Sequence, residues 1–365
     1  IEQTTSTVFA QLSLSDVMEL DDKFKTAIDK HLRDGIRKIT GFQVQEGGFS
    51  YWPGELQADN WGTSYAGHFL LEAEKKGYVI PAGVKSSWIR YQKRQARLWK
   101  PDPVADRYRQ TDLEQAYRLY TLALAGQPET GAMNRMREQG TISLQAKWRL
   151  AAAYALAGQT AAAREMVNRA ETDVPAYSGA GSSYGSRERD WAMILESLAL
   201  LQDRTRSAEL ARRISDALSS SMWMSTQTTA YCLLSMARFS KGLTASELRF
   251  SYRMDNAQPA EASTGKSIVR ISLNRPSGKT GTIRVKNLGS GMLFARLIMT
   301  GIPEAGMETD YSRSLQLSVS YRNGDEPVDL NRITQGSDFQ VVVSIRNTGL
   351  EDARQLALTQ IFPSG

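Results

Sequence analysis

Ala66-Gly67-His68-Phe69-Leu70-Leu71-Glu72-Ala73 carries the pattern on which the fold turns. Ala66, Leu70 and Ala73 stand at i, i+4 and i+7, positions that one face of an α-helix aligns. The helix therefore offers its neighbours a small-residue stripe that permits close approach. The same spacing recurs in Ala116/Tyr120/Ala123, Ala146/Leu150/Ala153, Ala192/Glu196/Ala199 and Ala230/Leu234/Ala237. Ala10 and Val17, seven apart, make the N-terminal segment a sixth candidate. Between the striped segments lie charge-rich helical patterns near residues 23–40, 82–98, 129–138, 160–171 and 205–219. Alternation of the two kinds predicts an all-α α/α toroid, a closed ring of about six helical hairpins with striped helices inside and charged helices outside. The remaining outer helix is expected upstream of Ile1, or missing.

After Gly242 the spacing changes to short alternating runs at 248–252, 267–273, 282–285 and 292–298, divided by turn clusters such as Asn274-Arg275-Pro276-Ser277-Gly278. These predict a small antiparallel β-domain. A further β-unit begins near Tyr311, with runs at 315–321 and 339–345 and a turn at Asn347-Thr348-Gly349. About four strands are legible there, fewer than the roughly seven of a full sandwich.

Composition sets limits on the reading. The chain has 365 residues, 41% hydrophobic and 23% charged, as expected of globular domains with cores of ordinary size. No apolar run approaches the roughly 18 residues that span a bilayer. The formal charge of +6 and pI near 9.3 come from Lys and Arg scattered along the outer-helix patterns and mixed with acids, for example Lys23, Lys25, Arg33, Arg37 and Lys38. That distribution reads as solvated helix faces, and no nucleic-acid partner is expected. A single cysteine, Cys232, excludes an internal disulfide and any cysteine-rich metal site. It sits in an apolar helical stripe and is expected to be a buried, inert thiol. No cofactor or metal is expected.

Every inner helix in such a ring is entered from an outer one, so the inner N-termini gather at one end. The most elaborate connecting loops there are residues 43–60 and 173–187, the second rich in glycine and serine (Tyr177 to Ser186). Gln3 belongs to the same end. A Gln just before a helix's first turn places its side-chain carbonyl where free N–H groups and the positive end of the helix dipole converge, and charge developing on that oxygen would be stabilised.

Glu2-Gln3-Thr4-Thr5-Ser6 resembles the thioester segment of the alpha-2-macroglobulin and complement family. Gly47-Gly48-Phe49-Ser50-Tyr51-Trp52-Pro53-Gly54, Asp59-Asn60-Trp61-Gly62-Thr63-Ser64-Tyr65-Ala66 and Ser225-Thr226-Gln227-Thr228-Thr229-Ala230 follow in order and resemble its bacterial branch. The resemblance implies that Gln3 is the acyl residue of an internal thioester. Its cysteine partner, three positions earlier, is expected one residue before Ile1. Glu2, Thr4 and Thr5 would support the segment, and Phe49, Tyr51, Trp52 and Trp61 could shield a strained bond from water. The implied domains are a thioester-type toroid (1–242), the second half of a CUB-type β-domain (243–308) and a partial macroglobulin-like β-sandwich (309–365). The implied parent is a periplasmic, often lipid-anchored protease trap that captures proteases covalently through their Lys amines. It is a single-use inhibitor and not an enzyme.

Two other readings are weighed against it. One is a thioester-less relative in which the ring is purely architectural. The other is an α/α-toroid glycosidase using Glu55 and Asp59 beside Trp52 and Trp61, since glycoside cleavage needs two suitably spaced carboxylates. Terpene cyclase and prenyltransferase readings fail for want of a clustered Asp motif and of an Asp/Cys/His zinc set. His31 is expected to be solvated on an outer helix, and His68 to be a satisfied core histidine.

Overall fold

The computed structural model describes residues 1–102, 111–140, 142–175, 183–220, 223–241, 248–273, 281–289, 293, 295–298, 312, 314–349 and 356–359. Its helices are α1 (Glu2–Leu12), α2 (Leu14–Val17), α3 (Asp22–Thr40), α4 (Asn60–Lys75), α5 (Val84–Leu98), α6 (Thr111–Leu124), α7 (Thr130–Arg137), α8 (Leu144–Leu156), α9 (Thr160–Val167), α10 (Arg187–Leu201), α11 (Arg204–Ser219) and α12 (Thr226–Lys241). Side-chain caps start many of them. Asp21, Asp59, Ser143, Ser186 and Asp203 each accept a backbone N–H three residues on, satisfying donors that a helix start leaves free. Gly126 (φ 71°) and Gly158 (φ 80°) take the left-handed conformation that ends α6 and α8. Past them, Gln127 N–H and Gln159 N–H each reach back 2.9 Å to the carbonyls of Leu122 and Tyr154.

Contacts between helices follow a closed order. α1 packs on α4, α4 on α6, α6 on α8, α8 on α10, α10 on α12, and α12 returns to α1. The charged helices lie against this series: α3 on α1, α5 on α4 and α6, α7 on α6 and α8, α9 on α8 and α10, α11 on α10 and α12. Ala66, Ala116, Ala146, Ala192 and Ala230 are all buried, as the stripe requires. The N-terminal helix is less regular. Ala10 is only half-buried, and Ser13 splits the expected single helix into α1 and the single turn α2. Phe9, Val8 and Leu12 provide its buried face instead.

Close approach of an outer to an inner helix is sharpest at Gly67. A Cβ there would lie 2.2–2.4 Å from the indole of Trp88, which is buried and donates its Nε1–H to Thr63 O at 2.9 Å. Gly67→Ala is expected to destabilise the protein by about 1–3 kcal/mol through overpacking. Urea unfolding checks this, and an unchanged midpoint would show that Trp88 has room to move.

Strands β1 (Leu248–Met254), β2 (Ala260–Thr264) and β3 (Ile283–Asn287) form an antiparallel sheet in the order β2-β1-β3. The strand expected over 267–273 is not formed. Both edges of β1 are occupied, by β2 in the register Leu248↔Thr264 to Tyr252↔Ala260 and by β3 on the other side. Ile268 instead makes one parallel bridge to Met18, with Ile268 N–H donating to Val17 O at 2.9 Å. Thr264 Oγ1 donates to Glu19 Oε1 at 2.6 Å and Lys266 Nζ to Ser15 O at 3.0 Å, so residues 15–19 tie sheet to helices. Of the run at 292–298, the described residues form no strand.

The chain divides into two compact units, Ile1–Ala295 and Arg296–Gly365. The domain boundaries expected at 242/243 and 308/309, and the Asn274–Gly278 turn, lie outside the described residues. In the second unit β4 (Leu315–Asn323), β5 (Glu326–Pro327) and β6 (Gln340–Asn347) form an antiparallel sheet, order β5-β4-β6. Leu317, Val319 and Tyr321 pair with Ile345, Val343 and Val341, giving one apolar face. No described helix is long and apolar enough to cross a membrane.

Candidate functional site

Gln3 lies inside the first turn of α1, not before it, because Ile1 already serves as N-cap. Its side chain is exposed, and its backbone carbonyl accepts Thr7 Oγ1–H at 2.8 Å. The neighbours turn the other way. Thr5 and Ser6 are buried, Glu2 and Thr4 half-buried. Thr5 Oγ1 donates to Ile1 O at 2.9 Å, and Ser6 Oγ donates to Glu2 Oε1 at 2.7 Å and lies 3.1 Å from the Tyr65 hydroxyl. The segment is thus pinned on both sides of Gln3 while Gln3 itself faces out.

The 43–60 loop is anchored beneath it. Phe49 is fully buried, its N–H donates to Thr63 Oγ1 at 2.8 Å, and Thr63 Oγ1 in turn donates to Phe49 O at 3.1 Å. Ile1 N donates to Tyr51 O at 2.8 Å, joining loop to α1. Tyr51 stacks on Tyr184 with centroids 5.5 Å apart and meets Trp52 edge-on at 5.2 Å. Burial, then the contact with Tyr184, push the Tyr51 phenol well above its usual range, so it stays neutral. The two loops therefore meet at the α1 N-terminus. Residues 176–182 of the second loop lie outside the described residues. Of the four aromatics expected to form a shield, Tyr51 is half-buried and Trp52 is 63% exposed, whereas Phe49 and Trp61 are core residues.

Arg189 is the group at this end that the sequence reading missed. Fully buried in the first turn of α10, it donates from Nε and Nη2 to Asp190 Oδ1 (2.9 and 2.7 Å) and from Nη1 to Ser183 O (3.0 Å) and Gln227 Oε1 (3.1 Å). Its guanidinium carbon lies 4.5 Å from the Trp61 ring centroid. The available signal was an adjacent Arg-Asp pair opening a helix whose other inner positions, Glu196 apart, are small or apolar.

A second charged cluster lies among the inner helices. Glu196 on α10 is ion-paired with Arg149 on α8 and with Arg238 on α12, and Arg238 also reaches Glu72 on α4 at 2.9 Å and the Tyr120 hydroxyl on α6 at 3.2 Å. Burial alone would raise the Glu196 carboxyl, but Arg238 and Arg149 outweigh it and hold the group well below the usual carboxylate range. His68 is buried. Its Nδ1 lies 3.0 Å from the Tyr117 hydroxyl, and its Nε2 is 3.8 Å from Glu196 and has no hydrogen-bond partner among the described residues. It is therefore only half satisfied. Desolvation first, with Arg238 and Arg149 adding, lowers its pKa to about 3. His31 is exposed and contacts Gln11. Cys232 is buried, with its thiol pushed up to about 12 by burial and then Glu188. Glu55 accepts Trp52 N–H at 3.0 Å, and Asp59 accepts Gly62 N–H at 2.6 Å as the α4 cap. Both carboxylates are thus engaged with backbone.

No family model matches the chain. A curated protein, alpha-2-macroglobulin of Escherichia coli strain K12, is 26% identical over 328 residues, which make up 84% of this chain and 19% of that protein. The chain resembles bacterial alpha-2-macroglobulin. The fold agrees. Native Escherichia coli alpha-2-macroglobulin, in a crystal structure from domain MG7 to the C-terminus, superposes with TM-score 0.63 at 19% identity, covering 90% of this chain and 52% of that one. Escherichia coli alpha-2-macroglobulin activated by porcine elastase gives TM-score 0.55 at 17% identity, covering 95% and 31%. The chain spans about a fifth of the length of the curated alpha-2-macroglobulin it matches.

Proposed function

We propose that this chain carries the acyl half of an internal thioester in a protease trap of the alpha-2-macroglobulin type, with Gln3 as the acyl residue. The observation that carries the reading is the setting of Gln3. It is exposed in the first turn of α1, on a segment pinned by Glu2, Thr5 and Ser6, where Tyr51 and Tyr184 stack across two loops. The closed order of helix contacts is read as the α/α toroid that presents it. The first sheet is read as part of a CUB-type domain and the second unit as part of a macroglobulin-like sandwich.

In the proposed chemistry a cysteine three residues before Gln3 holds the Gln3 acyl carbon as a thioester. A Lys amine of an attacking protease adds to that carbon, the C–S bond breaks, and the amine's proton goes to the departing thiolate. The products are an amide joining the two proteins and one free thiol. A thiol of pKa near 8.5 leaves far more readily than an amide nitrogen, so an ordinary Gln amide does not react. The bond is used once, and the chain is an acyl donor, not an enzyme. The partners are proteases, and the setting proposed for the parent is the periplasm, with a lipid anchor. The backbone engagement of Glu55 and Asp59 gives the glycosidase reading no support.

Methylamine tests this. The sequence expressed with its natural upstream residues is expected to incorporate one methylamine at Gln3 and release one thiol, whereas residues 1–365 alone incorporate none. A residue other than Cys before Ile1, or no incorporation even on denaturation, would overturn the covalent reading and leave the helices as a scaffold.

A further inference from the structure

Arg189 occupies a place where physics disfavours a cation. It is fully buried in the first turn of a helix, where burial is costly to charge and the macrodipole is positive. Asp190 offsets the charge, but that ion pair uses only Nε and Nη2. Further contacts among the described residues reach three other segments. Nη1 donates to the carbonyl of Ser183, next to Tyr184, and to Oε1 of Gln227 in the first turn of α12, while the guanidinium lies over Trp61 in the first turn of α4. Gln227 continues the chain of contacts: its Nε2 lies 3.5 Å from Glu2 Oε1, the oxygen that also accepts Ser6 Oγ. One side chain thus joins the starts of α4, α10 and α12 and, through Gln227, the first turn of α1 beside Gln3.

We infer that Arg189 is a positioning residue for this end of the fold. It holds Ser183, and with it Tyr184 against Tyr51, and it fixes the Glu2 side of α1, so that it sets how water and amines reach Gln3. The last clause rests on the proposed acyl role of Gln3, and the rest stands on contacts alone. The geometry requires arginine in particular. A lysine can keep the ion pair with Asp190, but an ammonium is a compact point charge that lacks the planar fork and the ring-stacking face. Arg189→Lys therefore separates charge balance from positioning.

Two measurements test the inference. In residues 1–365, Arg189→Lys is expected to speed hydrogen exchange on the order of tenfold at residues 2–6, 49–52 and 183–186, leaving the α8 amides at 150–154 unchanged. A uniform rise across the helices, or no change at the three segments, overturns the inference. In the protein with its natural upstream residues, the ratio of thioester hydrolysis to methylamine uptake is expected to rise on the order of tenfold in Arg189→Lys with the folded fraction held equal. An unchanged ratio would overturn the link to Gln3. If the unsubstituted protein takes up no amine, the thioester reading fails by itself, and the exchange pattern alone decides whether Arg189 positions these loops.

Discussion

Replacing Glu196 by alanine is expected to destabilise the helical unit by about 3–5 kcal/mol. The carboxylate is buried, and it is the ion partner of Arg149 and one of two ion partners of Arg238. Its removal strands Arg149 most severely. Arg149 is fully buried, and its Nε and Nη2 already lack hydrogen-bond partners among the described residues. Apart from Glu196 it has the faces of Tyr120 and Tyr117, with centroids 4.3 and 5.4 Å from the guanidinium carbon. Cation–π contacts of this kind contribute about 0.5–2 kcal/mol, too little to offset a buried unpaired charge. Arg238 retains Glu72 and suffers less. Denaturant unfolding of Glu196→Ala measures the loss. The double substitution Glu196→Leu with Arg149→Leu removes both charges and is expected to recover most of it. A single-mutant loss below about 1 kcal/mol would show that water reaches the cluster and screens it.

Lowering the pH from about 6.5 toward 3 is expected to weaken the fold steadily, with His68 setting the upper end of that window. Around His68 stand Phe9 on α1, Glu72 on α4, Tyr117 and Tyr120 on α6, Arg149 on α8, Glu196 on α10 and Arg238 on α12. Two carboxylates and two guanidiniums balance while the imidazole is neutral, and a proton there would add an unbalanced buried charge. The folded pKa is therefore depressed to about 3 from 6.5. Below 6.5 the unfolded chain takes up a proton that the folded chain refuses, so stability falls with pH by up to about 1.4 kcal/mol per pH unit from this group. Glu196 acts in the same direction over a lower range. Its folded pKa is depressed below 4.5, so its contribution is present above that value and is lost as the pH falls further. Between pH 6.5 and 4.5 the slope of unfolding free energy in His68→Gln should be shallower by about one proton. Identical slopes in the two proteins would show that His68 titrates normally in the fold.

Periodicity made the helical part legible. A small residue at i and i+7 has one physical use in a helix, to let a neighbour approach, and this is why Ala66, Ala116, Ala146, Ala192 and Ala230 all proved buried. Alternating β-branched and aromatic runs likewise marked β1, β3, β4 and β6. The strand β2, Ala260-Glu261-Ala262-Ser263-Thr264, carries little intrinsic strand preference; it forms because an unpaired edge of β1 lies against it. The run at 267–273 has the right alternation and forms no strand: Ile268 makes one parallel bridge to Met18 instead, a contact that alternation in the sequence does not reveal.

At the candidate site the division is the same. The order of the motifs and the direction of the helices placed Gln3 and the two loops at one end, from the sequence alone. Tertiary structure alone decided that Gln3 faces outward while Thr5 and Ser6 face in, that Tyr51 pairs with Tyr184, and that Phe49 and Trp61 belong to the core. It also supplied the partners of Arg189, Arg149 and Glu196. The physical reason is that a charge in a sequence shows only its sign. Whether it is solvated or buried depends on partners that lie dozens of residues away, such as the counter-charge Glu196 for Arg149 and the neutral acceptor Gln227 for Arg189, and only folding brings them within reach.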